Sequence, residues 1–91
     1  MHKVAPDHII FAEAAGDYVK VQTDDQLIVT HSTFACFMEQ LPDYFLQVHK
    51  SYVVNSNLIK VLQGNRLGIG NHTIPVGQTF KKAVRTHLGI E

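Results

Sequence analysis

The run Phe45-Leu46-Gln47-Val48-His49-Lys50-Ser51-Tyr52-Val53-Val54-Asn55 reads as a strand, a corner and a second strand. Tyr44 to Val48 forms the first and Ser51 to Asn55 the second. The His49-Lys50 corner between them is polar and basic. Tyr52, Val53 and Val54 read as core and strand residues, and Asn55 as a side chain hydrogen-bonded to the turn that follows.

The same grammar continues on both sides. Downstream, Leu58 to Leu62 alternates, with Ile59 and Val61 against Lys60. Gly64-Asn65 is a turn, Arg66 to Ile69 returns, Gly70-Asn71 turns again, and His72 to Ile74 follows. Upstream, His8 to Glu13 is β-prone, Gly16-Asp17 is a turn, and Tyr18 to Gln22 sets Val19 and Val21 against Lys20 and Gln22. Asp24-Asp25 closes a hairpin with Leu27 to Thr30. The period changes at Phe34, Phe37, Met38 and Leu41, whose spacing predicts one short helix near 33–41. Ser32 or Thr33 can cap its start, and Pro42 cannot continue it. Phe80, Ala83, Val84 and Leu88 share one face of a C-terminal helix near 78–88. The expectation is a mainly β chain of small antiparallel sheets, a single domain over residues 1–91.

Composition excludes several classes of function. The 91 residues are 45% hydrophobic and 18% charged, which is globular rather than disordered. No apolar run approaches the roughly 18 residues of a spanning helix, and the N-terminus has no signal-peptide pattern. The single cysteine, Cys36, cannot form an internal disulfide and fits a reducing, cytoplasmic compartment. It reads as a small core residue. His2, His8, His31, His49, His72 and His87 form no short-spaced ligand pair, so no metal site is expected. The glycines make neither a GxGxxG nor a P-loop pattern, and a core this small leaves little room for an enclosed cofactor. None is expected. Ser51, His49 and Asp43 could be drawn as a triad on paper, but nothing around them resembles a nucleophile elbow.

The net charge of zero speaks against a nucleic-acid binder until it is divided. Residues 1–43 hold seven acids and two bases, Lys3 and Lys20, a net of −5. Residues 44–90 hold Lys50, Lys60, Arg66, Lys81, Lys82 and Arg85 and no acid, a net of +6. Glu91 restores the balance. If those bases converge, one face can attract a polyanion although the molecule is neutral. Scattered solvated charges, or pairing between the two halves, would give the same count.

The run from Phe45 to Asn55 resembles the signature of the LytTR-type DNA-binding domain, the output module of many bacterial response regulators. Phe11-Ala12-Glu13-Ala14-Ala15-Gly16-Asp17-Tyr18-Val19 looks like the first hairpin of that family. Ser32 to Pro42 is similar to its short helix ending in Leu-Pro, and Ile74-Pro75-Val76 with Lys81-Lys82 to its closing strand and basic end. The resemblance implies an elongated array of small antiparallel sheets whose loops, not a recognition helix, enter successive major grooves of double-stranded DNA.

On that resemblance, base or loop contacts fall to Asp17 and Tyr18, to His49 and Lys50, and to Gly77 and Gln78. Lys50 can donate to O6 and N7 of guanine, with a less strict readout than arginine. Asp17 would be repelled by phosphate but can accept from a cytosine amino group. Gln78 suits an adenine edge or a helix start. Gly77 offers only backbone. Lys81, Lys82 and Arg85 suit phosphate anchoring, which positions without specifying. Ser32 and Thr33 suit either a phosphate or simple capping. His49 fits two roles, a structural histidine fixing the corner or a direct DNA contact.

The resemblance further implies the C-terminal domain of a longer regulator, cut from an upstream receiver or sensor domain of a two-component-type phosphorelay system. Binding to direct repeats in promoters, with a homodimer on DNA, is the expected working form. The rival expectations are a protein-interaction module using the acidic half or a sheet edge, and an RNA binder, though tryptophan is absent and the other aromatics sit in apolar alternation.

Overall fold

The computed structural model describes residues 6–89. After a single 3-10 turn at Pro6–His8, eight strands and two α-helices follow, with a second such turn at Ser56–Leu58 between the fifth and sixth strands. They are β1 (Ile9–Ala15), β2 (Tyr18–Thr23), β3 (Leu27–His31), α1 (Phe34–Glu39), β4 (Phe45–His49), β5 (Tyr52–Asn55), β6 (Ile59–Gln63), β7 (Arg66–Ile69), β8 (His72–Pro75) and α2 (Lys81–Leu88). Five strands form one antiparallel sheet in the order β3-β2-β1-β5-β4. The other three form a second antiparallel sheet, β6-β7-β8. The expected array of small sheets is thus two, one larger than the other, in a body of 41 × 23 × 21 Å.

The larger sheet is a middle layer with an apolar cluster on each face. Ile9, Ala12, Val19, Val21 and Val53 pack against Phe34, Phe37, Met38 and Leu41 around α1. Val48, Val54, Leu67, Ile69, Ile74, Val76 and Val84 form the second cluster, with the small sheet and α2. Alternation explains the split, since successive strand side chains point to opposite faces. Neighbouring Val53 and Val54 accordingly serve different clusters.

Both helices are shorter than their apolar stripes. Thr33 caps α1, its Oγ1 accepting from the Cys36 N–H at 3.2 Å. Gln40 and Leu41 are then held by bonds to carbonyls three residues back, not by helix proper. Residues 78–80 are likewise a turn, in which Phe80 N–H donates to Gly77 O at 2.9 Å, before α2 begins. Gly89 ends α2 at φ +73, a conformation glycine adopts without strain. Cys36 corrects the sequence reading. It is exposed, because Phe34, Phe37 and Met38 take the inward face of this short helix and leave position 36 to the other. Asn55 behaves as expected: its Oδ1 accepts from Asn57 N–H at 3.1 Å, and its Nδ2 donates to Ile9 O at 3.2 Å.

Candidate nucleic-acid interface

The strand order decides where the polar loops fall. β1 and β3 and β4 end, and β2 and β5 begin, at one end of the larger sheet. The connections leaving that end are Ser32-Thr33, Gly16-Asp17 and Lys50-Ser51, and they stand side by side in the order β3-β2-β1-β5-β4. Backbone bonds tie them together. Ala14 N–H donates to Ser51 O at 2.8 Å, joining the first hairpin to the corner. Tyr18 pairs with His31, which brings Ser32 beside the hairpin tip. Gly77 N–H donates to Val48 O at 2.8 Å, which extends the row past the edge strand β4. At about 4.8 Å per strand the row across this sheet is about 19 Å long before α2 is added.

Gly77 owes its identity to this junction. A Cβ there would lie 3.1 Å from the Phe80 ring and 3.6 Å from both the His49 backbone and its ring. The absent side chain lets the segment before α2 close on the corner. From there Gln78, Lys81, Lys82 and Arg85 line one shallow open groove. Lys81 Nζ donates to Asn65 Oδ1 at 2.8 Å, and so draws the β6-β7 turn and neighbouring Arg66 to the same end. The side chains of Lys50, Lys82 and Arg85 are exposed and unpaired among the described residues.

The corner is more constructed than its sequence suggests. His49 Nδ1 accepts from the Ser51 N–H at 3.1 Å, so in the neutral ring the proton sits on Nε2, which is left as a donor. The edge of that ring meets Tyr52 at 5.5 Å and 73°. Tyr52 in turn donates its hydroxyl to Glu13 Oε2 at 3.1 Å. Burial, then the bond to Glu13 and its charge, raise the Tyr52 hydroxyl above the usual tyrosine range. Lys50 therefore stands on a corner braced from β1 through Glu13, Tyr52 and His49. The sequence reading took Tyr52 as core alone; a tether spanning 39 residues of chain leaves no local signal.

Ser32 and Thr33 make local bonds. Ser32 Oγ donates to Thr33 O at 2.9 Å, and Thr33 Oγ1 is the α1 cap. Capping is thus observed. Asp17 and Tyr18 are exposed at the hairpin tip, and the Tyr18 ring stacks edge-on against His31 at 5.0 Å. The triad drawn on paper does not assemble, since Asp43 precedes β4 at the far end from His49 and Ser51.

The acids gather mostly at that far end. Asp7 accepts from Tyr44 Oη at 2.8 Å, Asp25 accepts from Thr23 Oγ1 at 3.0 Å, and Asp24 lies 3.3 Å from His8 Nδ1. The bond to Asp7, with desolvation and its charge, raises the Tyr44 hydroxyl. Lys60 belongs to this end too: with Asp7, His8 and Asp24 it lines a cleft between the sheets. It leaves the basic group that the linear count assigned it to. Glu13 and Asp17 are the acids that remain near the loop row. The surface is dipolar, with Lys50, Arg66, Lys81, Lys82 and Arg85 towards one end and Asp7, Asp24, Asp25 and Asp43 at the other. Among the described residues no three His, Cys, Asp or Glu side chains gather as a metal site, and no helix is long and apolar enough to cross a membrane.

The molecule is thus an elongated pair of antiparallel sheets that presents a row of loops and a basic helix at one end. The LytTr DNA-binding domain pattern matches residues 1–89, and the chain belongs to that family, whose members are binding domains and not enzymes. It is 33% identical over 89 residues to the sensory transduction protein LytT of Bacillus subtilis (strain 168), covering 90% of this chain and 37% of that protein. It also superposes on the LytTr DNA-binding domain of a Bacillus cereus protein described as a methyl-accepting/DNA response regulator. That match has a TM-score of 0.84 and 26% identity, covering 94% of this chain and 85% of the other.

Proposed function

We propose that this domain binds double-stranded DNA sequence-specifically by setting its row of loops into successive major grooves, and that it is the output module of a transcriptional regulator in a two-component-type system. The observation that carries the reading is the convergence of four separate segments, Ser32-Thr33, Gly16-Asp17-Tyr18, His49-Lys50 and Gly77-Gln78, with the bases of α2, at one end of the molecule. Lys50 and the Nε2–H of His49 are donors, and guanine O6 and N7 are acceptors in the major groove. Asp17 would accept from a cytosine amino group, and Gln78 would pair with an adenine edge. Lys81, Lys82 and Arg85 would hold phosphates and fix register. Ser32 and Thr33 close the row on the far side, at phosphate.

The chain spans 37% of the LytT relative; on the proposed reading, an upstream receiver or sensor domain would supply the signal that governs it. One module offers a short contact row. Two modules linked by that upstream part would gain avidity on direct repeats. Selection from random duplexes tests the reading, followed by anisotropy titration of the selected duplex, a scrambled duplex and single-stranded RNA at equal salt. The expected order places the selected duplex first by at least about 10³-fold over the scrambled one. Equal affinity for all three would refute specificity, and preference for the RNA would refute the duplex.

A further inference from the structure

Among the described residues the outer edge of the larger sheet is open. β3 has β2 on one side and no strand on the other among the described residues. Native sheets blunt such edges with lysines, prolines or bulges. Leu27-Ile28-Val29-Thr30-His31 contains none of these, and β3 pairs with β2 in unbroken register. Leu27 and Val29 are each 55% exposed, more than the other exposed large apolar residues of the described chain.

The hydrogen-bonding phase of this edge can be worked out. Thr23 N–H donates to Gln26 O at 2.8 Å, so Thr23 and Gln26 are a hydrogen-bonded pair at the hairpin end. Bonded and non-bonded pairs alternate in an antiparallel ladder. Ile28 and Thr30 therefore turn their backbone groups towards β2. Leu27, Val29 and His31 turn theirs outwards, and these same residues carry the exposed side chains.

We propose that β3 pairs with β3 of a second copy of this chain, antiparallel, about a two-fold axis at Val29. In that register Val29 faces Val29, and Leu27 faces His31 of the second copy on both sides of the axis. Every outward N–H and C=O of the three residues then finds a partner, which no shift by one residue achieves. The charges agree with it. The strand itself bears no Lys, Arg, Asp or Glu. Antiparallel pairing sets the acidic end of each copy beside the loop end of the other, and brings Asp25 diagonal to His31 across the junction. A five-residue edge buries less than a standard interface, so the pair is transient, with a dissociation constant on the order of 0.1–1 mM. The pairing sends the two loop rows in opposite directions, so it is distinct from side-by-side occupancy of one duplex, and it does not rest on the DNA-binding reading.

Directly opposed Val29 residues of a hydrogen-bonded pair would have Cα atoms about 5.5 Å apart, within disulfide range. The test is oxidative cross-linking of Val29→Cys in a Cys36→Ser background. Val61→Cys in the same background is the control, because Val61 is 47% exposed on another edge strand. Val29→Cys should give covalent dimer about tenfold faster or more than Val61→Cys. In parallel, sedimentation velocity should show the unaltered chain associating as its concentration approaches about 1 mM, and Val29→Lys remaining monomeric with unchanged circular dichroism. Equal cross-linking rates, a monomeric parent at that concentration, or undiminished association of Val29→Lys would each overturn the proposal.

Discussion

Two lysines from the same acid-free half of the chain should behave differently when removed. Lys82 stands in the groove with Gln78, Lys81 and Arg85, whereas Lys60 lines the cleft with Asp7, His8 and Asp24. The six residues of β2 separate the Asp24 end from the loop row by about 17 Å at roughly 3.3 Å per step. That is nearly two Debye lengths at 0.1 M salt, so Lys60 is screened from DNA bound at the row. Lys20 stands opposite Glu13 in the β1-β2 register, which leaves Lys50, Arg66, Lys81, Lys82 and Arg85 as the bases at the row without an acid directly across from them. If each neutralises one phosphate, log K should fall against log salt with a slope of about −4.5. Lys82→Ala should bring the slope to about −3.6 and cost roughly eightfold in affinity at 0.1 M salt, or about 1.2 kcal/mol. Lys60→Ala should leave both unchanged. The assay is anisotropy titration of a labelled duplex at several salt concentrations from about 50 to 200 mM. Equal losses for the two variants would mean that total charge, and not its placement, governs binding.

Lys50→Ala should cost about 1–3 kcal/mol on the selected duplex and relax preference at one base position, read by repeating the selection; uniform weakening on every sequence would make Lys50 a phosphate contact. Thr33→Ala removes the α1 cap and should lower stability by about 0.5–2 kcal/mol in urea denaturation, whereas an unchanged midpoint would show the cap to be idle. Tyr44 and Tyr52 have folded-state values raised above those of the unfolded chain, so the folded state holds their protons more tightly. Their contribution is full below the ordinary tyrosine range and is lost as pH rises through the raised values. Denaturation midpoints should therefore fall in strong alkali, and Glu13→Gln should make Tyr52 ionise earlier in an ultraviolet titration. A late Tyr52 in that variant would remove Glu13 as a cause.

Most of the fold was legible because alternation and turn chemistry are local. The Gly16-Asp17, Gly64-Asn65 and Gly70-Asn71 turns and all eight strands fall within a residue or two of their patterns. Helix ends were less so, since Thr33 and the residues before Lys81 set them through hydrogen bonds that an apolar stripe does not encode. Cys36 was misread because a small residue inside an apolar window carries no direction until the helix is placed. The loops of the site were legible as a motif, but their alignment was not. It depends on the order β3-β2-β1-β5-β4 and on long-range bonds such as Ala14 to Ser51 and Gly77 to Val48. Charge counted along the chain placed Lys60 with the bases, and only the packing of β6 beside Asp24 moved it. The bracing of the corner by Tyr52 and Glu13 was invisible for the same reason.

On the proposed function, one end of the larger sheet faces the nucleic acid. Amide chemical-shift mapping during titration with a selected duplex tests it most directly. The large perturbations should fall on Gly16 to Tyr18, Ser32-Thr33, His49 to Ser51, Gly77-Gln78 and the first turn of α2, while Asp24 to Gln26, Asp43-Tyr44 and Lys60 stay in place. Perturbations centred on the Asp24-Asp25 end, or on the β3 edge with the corner silent, would contradict it.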